Sequence, residues 1–128
     1  MNNAVLDASA ILALLNQEPG ADQLTAEILS VAVGSTVNLA EVQSKLVHDG
    51  MASDKAWQAT LYSVSEAVAF TAEQANVAGS LIAETRALGL SLGDRACLAL
   101  ALERRAPVYT TDRSWKRLKL TIPIHVIR

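Results

Sequence analysis

A single cysteine in 128 residues rules out an internal disulfide and a cysteine-rich zinc site. That residue, Cys97, lies in Ala96-Cys97-Leu98-Ala99-Leu100 and reads as a small buried apolar side chain. Histidine is almost as scarce. His48 falls near the end of a helical segment and His125 in a terminal strand segment, neither beside a serine or cysteine in a recognisable nucleophile motif. This argues against a Ser/His or Cys/His hydrolase and leaves zinc short of its preferred ligands. There is no glycine-rich loop of the dinucleotide or P-loop type, no internal repeat, and no linker rich in Pro, Gly or Ser. No apolar run approaches the roughly 18–20 residues needed to span a bilayer. The Met1-Asn2-Asn3 start lacks the basic flank of a signal peptide. The expectation is one cytoplasmic domain, residues 1–128, with no membrane partner.

What is present is an ordinary globular composition, 51% apolar and 19% charged, with a marked asymmetry in its charge. Residues 1–85 hold ten acids and only Lys45 and Lys55 as bases. Residues 86–128 hold nine Lys or Arg against Asp94, Glu103 and Asp112. The net charge of −2 therefore hides a cationic end, which serves either as a solvated face or as a surface for a phosphate backbone.

Short apolar runs alternate with helical patterns. Ala4-Val5-Leu6 reads as a strand ending at Asp7, followed by a helix from Ser9 to Leu15 and a break at Pro19-Gly20. A second helix is expected over Ala21–Ala32, a brief strand at Thr36-Val37, and a helix from about Leu39 to His48. Ser53-Asp54 reads as the cap of a helix to Ser63, and Ala67–Phe70 as a strand. Thr71-x-x-Gln74 fits a capping box opening one long helix that Gly89 ends. Asp94 then precedes an apolar helix, Ala96–Leu102, that must be buried on most sides. A strand over Pro107–Tyr109, a helical turn over Ser114–Leu118 and a strand over Ile124–Ile127 complete the pattern. Such alternation predicts a layered α/β fold with a largely parallel sheet, whose ligands bind beyond the carboxyl ends of the strands. Asp7 and Asp112 both stand at such ends.

Four acids emerge as candidates, and each also has a structural role open to it. Asp7, Asp94 and Asp112 could cap the helices that follow them, and Glu41 could favour the amino-terminal dipole of its own. Yet Asp7 and Asp112 both leave buried strands, Glu41 lies one turn into a helix, and Gly93 leaves room for a close approach beside Asp94. Carboxylates that converge repel unless a cation neutralises them, and Mg²⁺ or Mn²⁺ suits oxygen ligands. Ions held in this way suit phosphodiester hydrolysis: they polarise the phosphate, activate water and stabilise the leaving oxygen. A receiver domain would need acidic neighbours at the first strand end, which Asp7 lacks. An aspartate-nucleophile phosphatase would need an acid where Ser9 stands.

The same residues carry a family resemblance over essentially the whole chain. Val5-Leu6-Asp7-Ala8-Ser9-Ala10, Asn38-Leu39-Ala40-Glu41-Val42, Leu90–Ala99 around Asp94, and Thr110-Thr111-Asp112-Arg113-Ser114-Trp115 occur in the order found in PIN-domain nucleases. The chain resembles in particular the VapC toxins of bacterial toxin–antitoxin pairs, with Trp115 where Phe is commoner. The resemblance implies a three-layer α/β/α sandwich with a short, mainly parallel central sheet. It also implies a Mg²⁺ or Mn²⁺ site formed by Asp7, Glu41, Asp94 and Asp112, and endoribonuclease activity on RNA such as tRNA or rRNA. A homodimer and restraint by a VapB-like antitoxin are implied as well. Ser9 and Thr110 are candidates to hydrogen-bond the carboxylates from behind. Arg95, Arg113 and Lys116 are candidates for phosphate contacts, whereas Trp57 and Trp115 suit packing better than base stacking. The rival reading is a catalytically inactive PIN-fold module that binds RNA or protein and keeps the acids as caps.

Overall fold

The structure, a computed structural model, describes residues 2–128. Strand β1 (Ala4–Leu6) leads into helix α1 (Ala8–Leu15). A 3-10 turn at Ala21–Gln23 and helix α2 (Ala26–Ser30) precede β2 (Ala32–Ser35), which runs directly into α3 (Thr36–His48). Then come α4 (Ser53–Tyr62), β3 (Glu66–Val68), α5 (Ala72–Ser80) and the short α6 (Ile82–Thr85). The chain closes with α7 (Leu92–Arg104), β4 (Val108–Thr110), a 3-10 turn over Arg113–Arg117 and β5 (Ile124–Val126).

The five strands form one sheet in the order β3-β2-β1-β4-β5, and every neighbouring pair is parallel. Parallel strands need crossover connections, so helices cover both faces and the strands are buried on both sides. One face carries Val5, Val33, Val68 and Val108 against Leu98, Ala101 and Trp115. The other carries Leu6 and Ala32 against Ala10, Ile11, Leu39, Val42 and Ala56. The alternation of neighbours Val5 and Leu6 between these two cores is the period of a strand made visible. The result is the expected three-layer sandwich, with α5 and α7 on one side and α1, α3 and α4 on the other.

Several local expectations are corrected. The strand expected at Thr36-Val37 lies earlier, over Ala32–Ser35, and the helix expected over Ala21–Ala32 shrinks to α2 with a 3-10 turn before it. Ser35 ends the strand and caps α3, its hydroxyl accepting from the Val37 N–H at 3.2 Å. Thr71 caps α5 by accepting from the Gln74 N–H, but the Gln74 side chain donates to Glu103 instead of returning to the cap. The long helix after it breaks at Leu81, and Gly89 ends the following 3-10 turn in the left-handed conformation that glycine adopts freely. Helix α7 begins two residues before Asp94. Its cap is Ser91, and Ser91 and Asp94 make the reciprocal capping box that Thr71 and Gln74 do not.

Candidate active site

Asp7 is the first residue beyond β1 and is 4% exposed. It caps α1, as the sequence allowed, with Oδ1 accepting from the Ala10 N–H at 2.8 Å and from the Ser9 hydroxyl at 2.7 Å. The other oxygen accepts from the Thr110 hydroxyl on the neighbouring β4 at 2.6 Å. Burial pushes the Asp7 carboxyl up to about 6; the bonds from Thr110, Ala10 and Ser9 oppose this, and the negative charge of Asp94 adds to it. A cap alone would stabilise the ionised form. Here burial outweighs three hydrogen bonds.

Asp112 joins the site through the same hydroxyl. Its N–H donates to Thr110 Oγ1 at 3.1 Å, while the Thr111 N–H donates to the Ser9 hydroxyl at 2.9 Å. These bonds sew the loop after β4 to the start of α1. The Asp112 carboxylate itself is exposed and accepts from the N–H and hydroxyl of Ser114, at 2.9 and 2.7 Å. Asp94, in the first turn of α7, accepts from the Ser91 N–H at 2.9 Å.

Glu41 approaches from α3. Its Oε1 accepts from the Asn38 side-chain amide at 2.9 Å, and the same amide donates to the Gly93 carbonyl at 2.9 Å. The carboxylate rests against the bare α-carbon of Gly93: a methyl group there would lie 2.6 Å from Glu41 Cδ. Sequence reasoning passed over Asn38, although an amide three residues before an acid on a helix is a recognisable pairing. The room expected at Gly93 exists, and Glu41 fills it.

Buried Cys97 records the convergence of these acids. Its thiol is raised well above its ordinary value, first by burial and then by the negative charges of Asp7, Asp94 and Glu41. The charges of three acids from separate parts of the chain are thus felt at one residue, and Thr110 links the Asp112 backbone to Asp7. No cation among the described residues pairs with these acids: the ion pairs join Lys45 and His48 to Asp49, Arg104 to Glu66, and Arg128 to Glu18. Among the described residues, however, no three acid, histidine or cysteine side chains are drawn into a closed metal-binding group. Asp94 and Asp112 are engaged by the backbone and hydroxyl groups of their own caps. The donor set suits a hard divalent cation: oxygen only, like-charged and, among the described residues, without an ion-pair partner.

The cationic candidates separate. Arg95 is held against α5, its guanidinium donating to the Ala78 carbonyl at 2.9 Å. Arg113 is exposed and donates to the Arg128 carbonyl at 3.2 Å. Lys116 is exposed in the turn that follows Asp112. Trp115 is fully buried in the core and Trp57 packs beside the core on the opposite face, so packing is the role of both.

An all-parallel α/β sandwich with acids beyond two strand ends, one on a helix and one at a helix opening defines a class of proteins that work at the carboxyl edge of the sheet. The chain belongs to the PIN domain family, whose model matches residues 4–120. Among solved structures it is similar to VapC20 of Mycobacterium tuberculosis, described as a sarcin–ricin loop cleaving toxin. The TM-score is 0.73 at 20% identity, covering 94% of this chain and 100% of that one. It is also similar to DNA-bound VapBC from Salmonella typhimurium (TM-score 0.73, 17% identity, 98% of each chain). A third is VapBC2 from Rickettsia felis bound to a promoter DNA fragment (TM-score 0.72, 18% identity, 95% of this chain and 96% of that one). At such identities these likenesses speak for the fold. No protein with a curated description matches the chain in sequence. No helix is long and apolar enough to cross a membrane among the described residues.

Proposed function

We propose that the chain is a metal-dependent endoribonuclease of the VapC type. The observation that carries this reading is the buried Asp7 carboxylate at the end of β1, which feels the negative charge of Asp94 and is tied through Thr110 to Asp112, with no ion-pair partner among the described residues. Asp7, Glu41, Asp94 and Asp112 would hold one or two Mg²⁺ or Mn²⁺ ions. When bound, such an ion supplies neutralisation of the scissile phosphate and activation of water. The chain's own residues prepare the place. Ser9 and Thr110 fix the orientation of Asp7, and the bonds between the Ser9–Thr110 pair and residues 111 and 112 fix the loop bearing Asp112. Arg113 and Lys116, exposed beside Asp112, would contact the phosphates of an RNA strand. Arg95 is committed to α5 and is left out of that role.

RNA is the favoured substrate class because a fold relative is described as cleaving the sarcin–ricin loop. The VapBC relatives favour a VapB-like antitoxin as partner; a homodimer is the assembly that the family resemblance implies. The test is incubation of total cellular RNA with the antitoxin-free protein in Mg²⁺, Mn²⁺ or EDTA, beside Asp7→Asn and Asp94→Asn. Discrete fragments that require both metal and both acids are expected. Metal-independent RNA binding by folded protein that cuts nothing would give the binding-module reading the lead.

A further inference from the structure

We propose that Asn38 is a positioning residue. Together with the missing side chain of Gly93, it fixes the Glu41 carboxylate against the first turn of α7, next to Asp94. This inference rests on the metal-site reading above and adds a determinant to it.

Asn38 is 1% exposed, and its amide nitrogen makes both of its bonds to acceptors, Glu41 Oε1 and the Gly93 carbonyl, each at 2.9 Å. Its own oxygen is buried with no partner. That imbalance identifies the orientation. Turning the amide over would set its oxygen against a carboxylate and a carbonyl at once, leaving two repulsive contacts in place of two bonds. The Gly93 carbonyl lies inside α7 and takes part in the regular helical ladder, so the bond from Asn38 is not needed to satisfy it. What the bond does is hold the amide in line with Glu41. Glu41 is itself exposed, and without this anchor its flexible side chain would be free to turn into solvent.

Gly93 makes the opposite wall. Glu41 Oε1 would stand 2.5 Å from a methyl group on its α-carbon, a contact that must be relieved. The listless end of a glutamate moves at little cost, so a side chain at 93 would displace the carboxylate rather than unfold the helix. Gly93 has none of the positive φ that marks Gly20, Gly50 and Gly89, so its backbone places no demand for glycine. The demand comes from Glu41.

A structural tie between α3 and α7 and a positioning role make different predictions. Leucine at 38 branches as asparagine does, with slightly bulkier methyl groups, and removes the unpartnered oxygen along with the bonds, so the fold should tolerate it. Alanine at 93 is a better helix former than glycine. The experiment titrates EDTA-stripped, full-length protein with Mn²⁺ and follows free Mn²⁺ by electron paramagnetic resonance, with thermal melts of every variant alongside. Asn38→Leu and Gly93→Ala are expected to lower Mn²⁺ affinity about 10- to 100-fold, the usual effect of losing a group behind a metal ligand. Their melting temperatures should stay within a few degrees of wild type. Glu41→Gln should match or exceed their loss of affinity. Wild-type affinity in both folded variants overturns the positioning role while leaving the metal site standing. If Asn38→Leu proves unstable, Gly93→Ala decides alone. Absence of Mn²⁺ binding by wild type would bring down the metal-site reading, and this inference with it.

Discussion

Replacing Asp7 by asparagine in the metal-free protein is expected to remove a pH dependence of stability that one buried carboxylate creates. The Asp7 carboxyl stands at about 6 in the fold against an ordinary value of 3.8. An acid raised in this way binds its proton more tightly folded than unfolded. Its favourable contribution is therefore complete below the unfolded value and is lost as pH rises through the folded one. At about 1.4 kcal/mol per pH unit the whole effect amounts to about 3 kcal/mol, of which about 2 kcal/mol falls between about pH 7.5 and 4.5. Asp49, held low by His48 and Lys45, and Glu66, held low by Arg104, act in the opposite direction, but towards more acid pH. Urea unfolding in EDTA at several pH values reads the difference as a midpoint rising by about 1 M from pH 7.5 to 4.5. Asp7→Asn should show a much flatter midpoint and should gain stability over wild type at neutral pH. A wild-type midpoint that falls over this range, or a slope unchanged in Asp7→Asn, would refute the assignment of the strain to Asp7.

Thr110→Val removes the hydroxyl that donates to Asp7 and accepts from the Asp112 N–H. It is expected to cost about 1–3 kcal/mol and to move the pH window of Asp7 upward, both readable in the same urea series. Trp115→Ala empties a fully buried position in the core and should cost about 3–5 kcal/mol, measured as a lower melting temperature.

The parts of the fold legible in the sequence are those where local and long-range signals agree. Ala4-Val5-Leu6 is apolar on both faces and ends at a capping acid, so both β1 and the place of Asp7 could be read directly. Strand β2 could not. Ala32-Val33-Gly34-Ser35 has little strand propensity of its own, and only pairing with β1 and β3 makes it a strand. The start of α7 was misplaced because Asp94 is a good capping residue; Ser91 was the better placed one, and Asp94 completes its box. For the site, the residues and the family motifs supplied the four acids as candidates, and the structure adds the hydrogen bonds around each. The Asn38–Gly93 contact spans 55 residues, and the direction of the Arg95 side chain depends on α5, so neither could be read from neighbours in the chain.

The sheet order also bears on synthesis. The strand made first, β1, lies at the centre, and Thr110, which quiets Asp7, follows it by 103 residues. At ribosomal rates of about 5–20 residues per second, that interval is about 5–20 s. Through it, one edge of β1 waits for β4, and Asp112 is not yet there to join the other acids. A nascent or prematurely terminated chain therefore carries no assembled site.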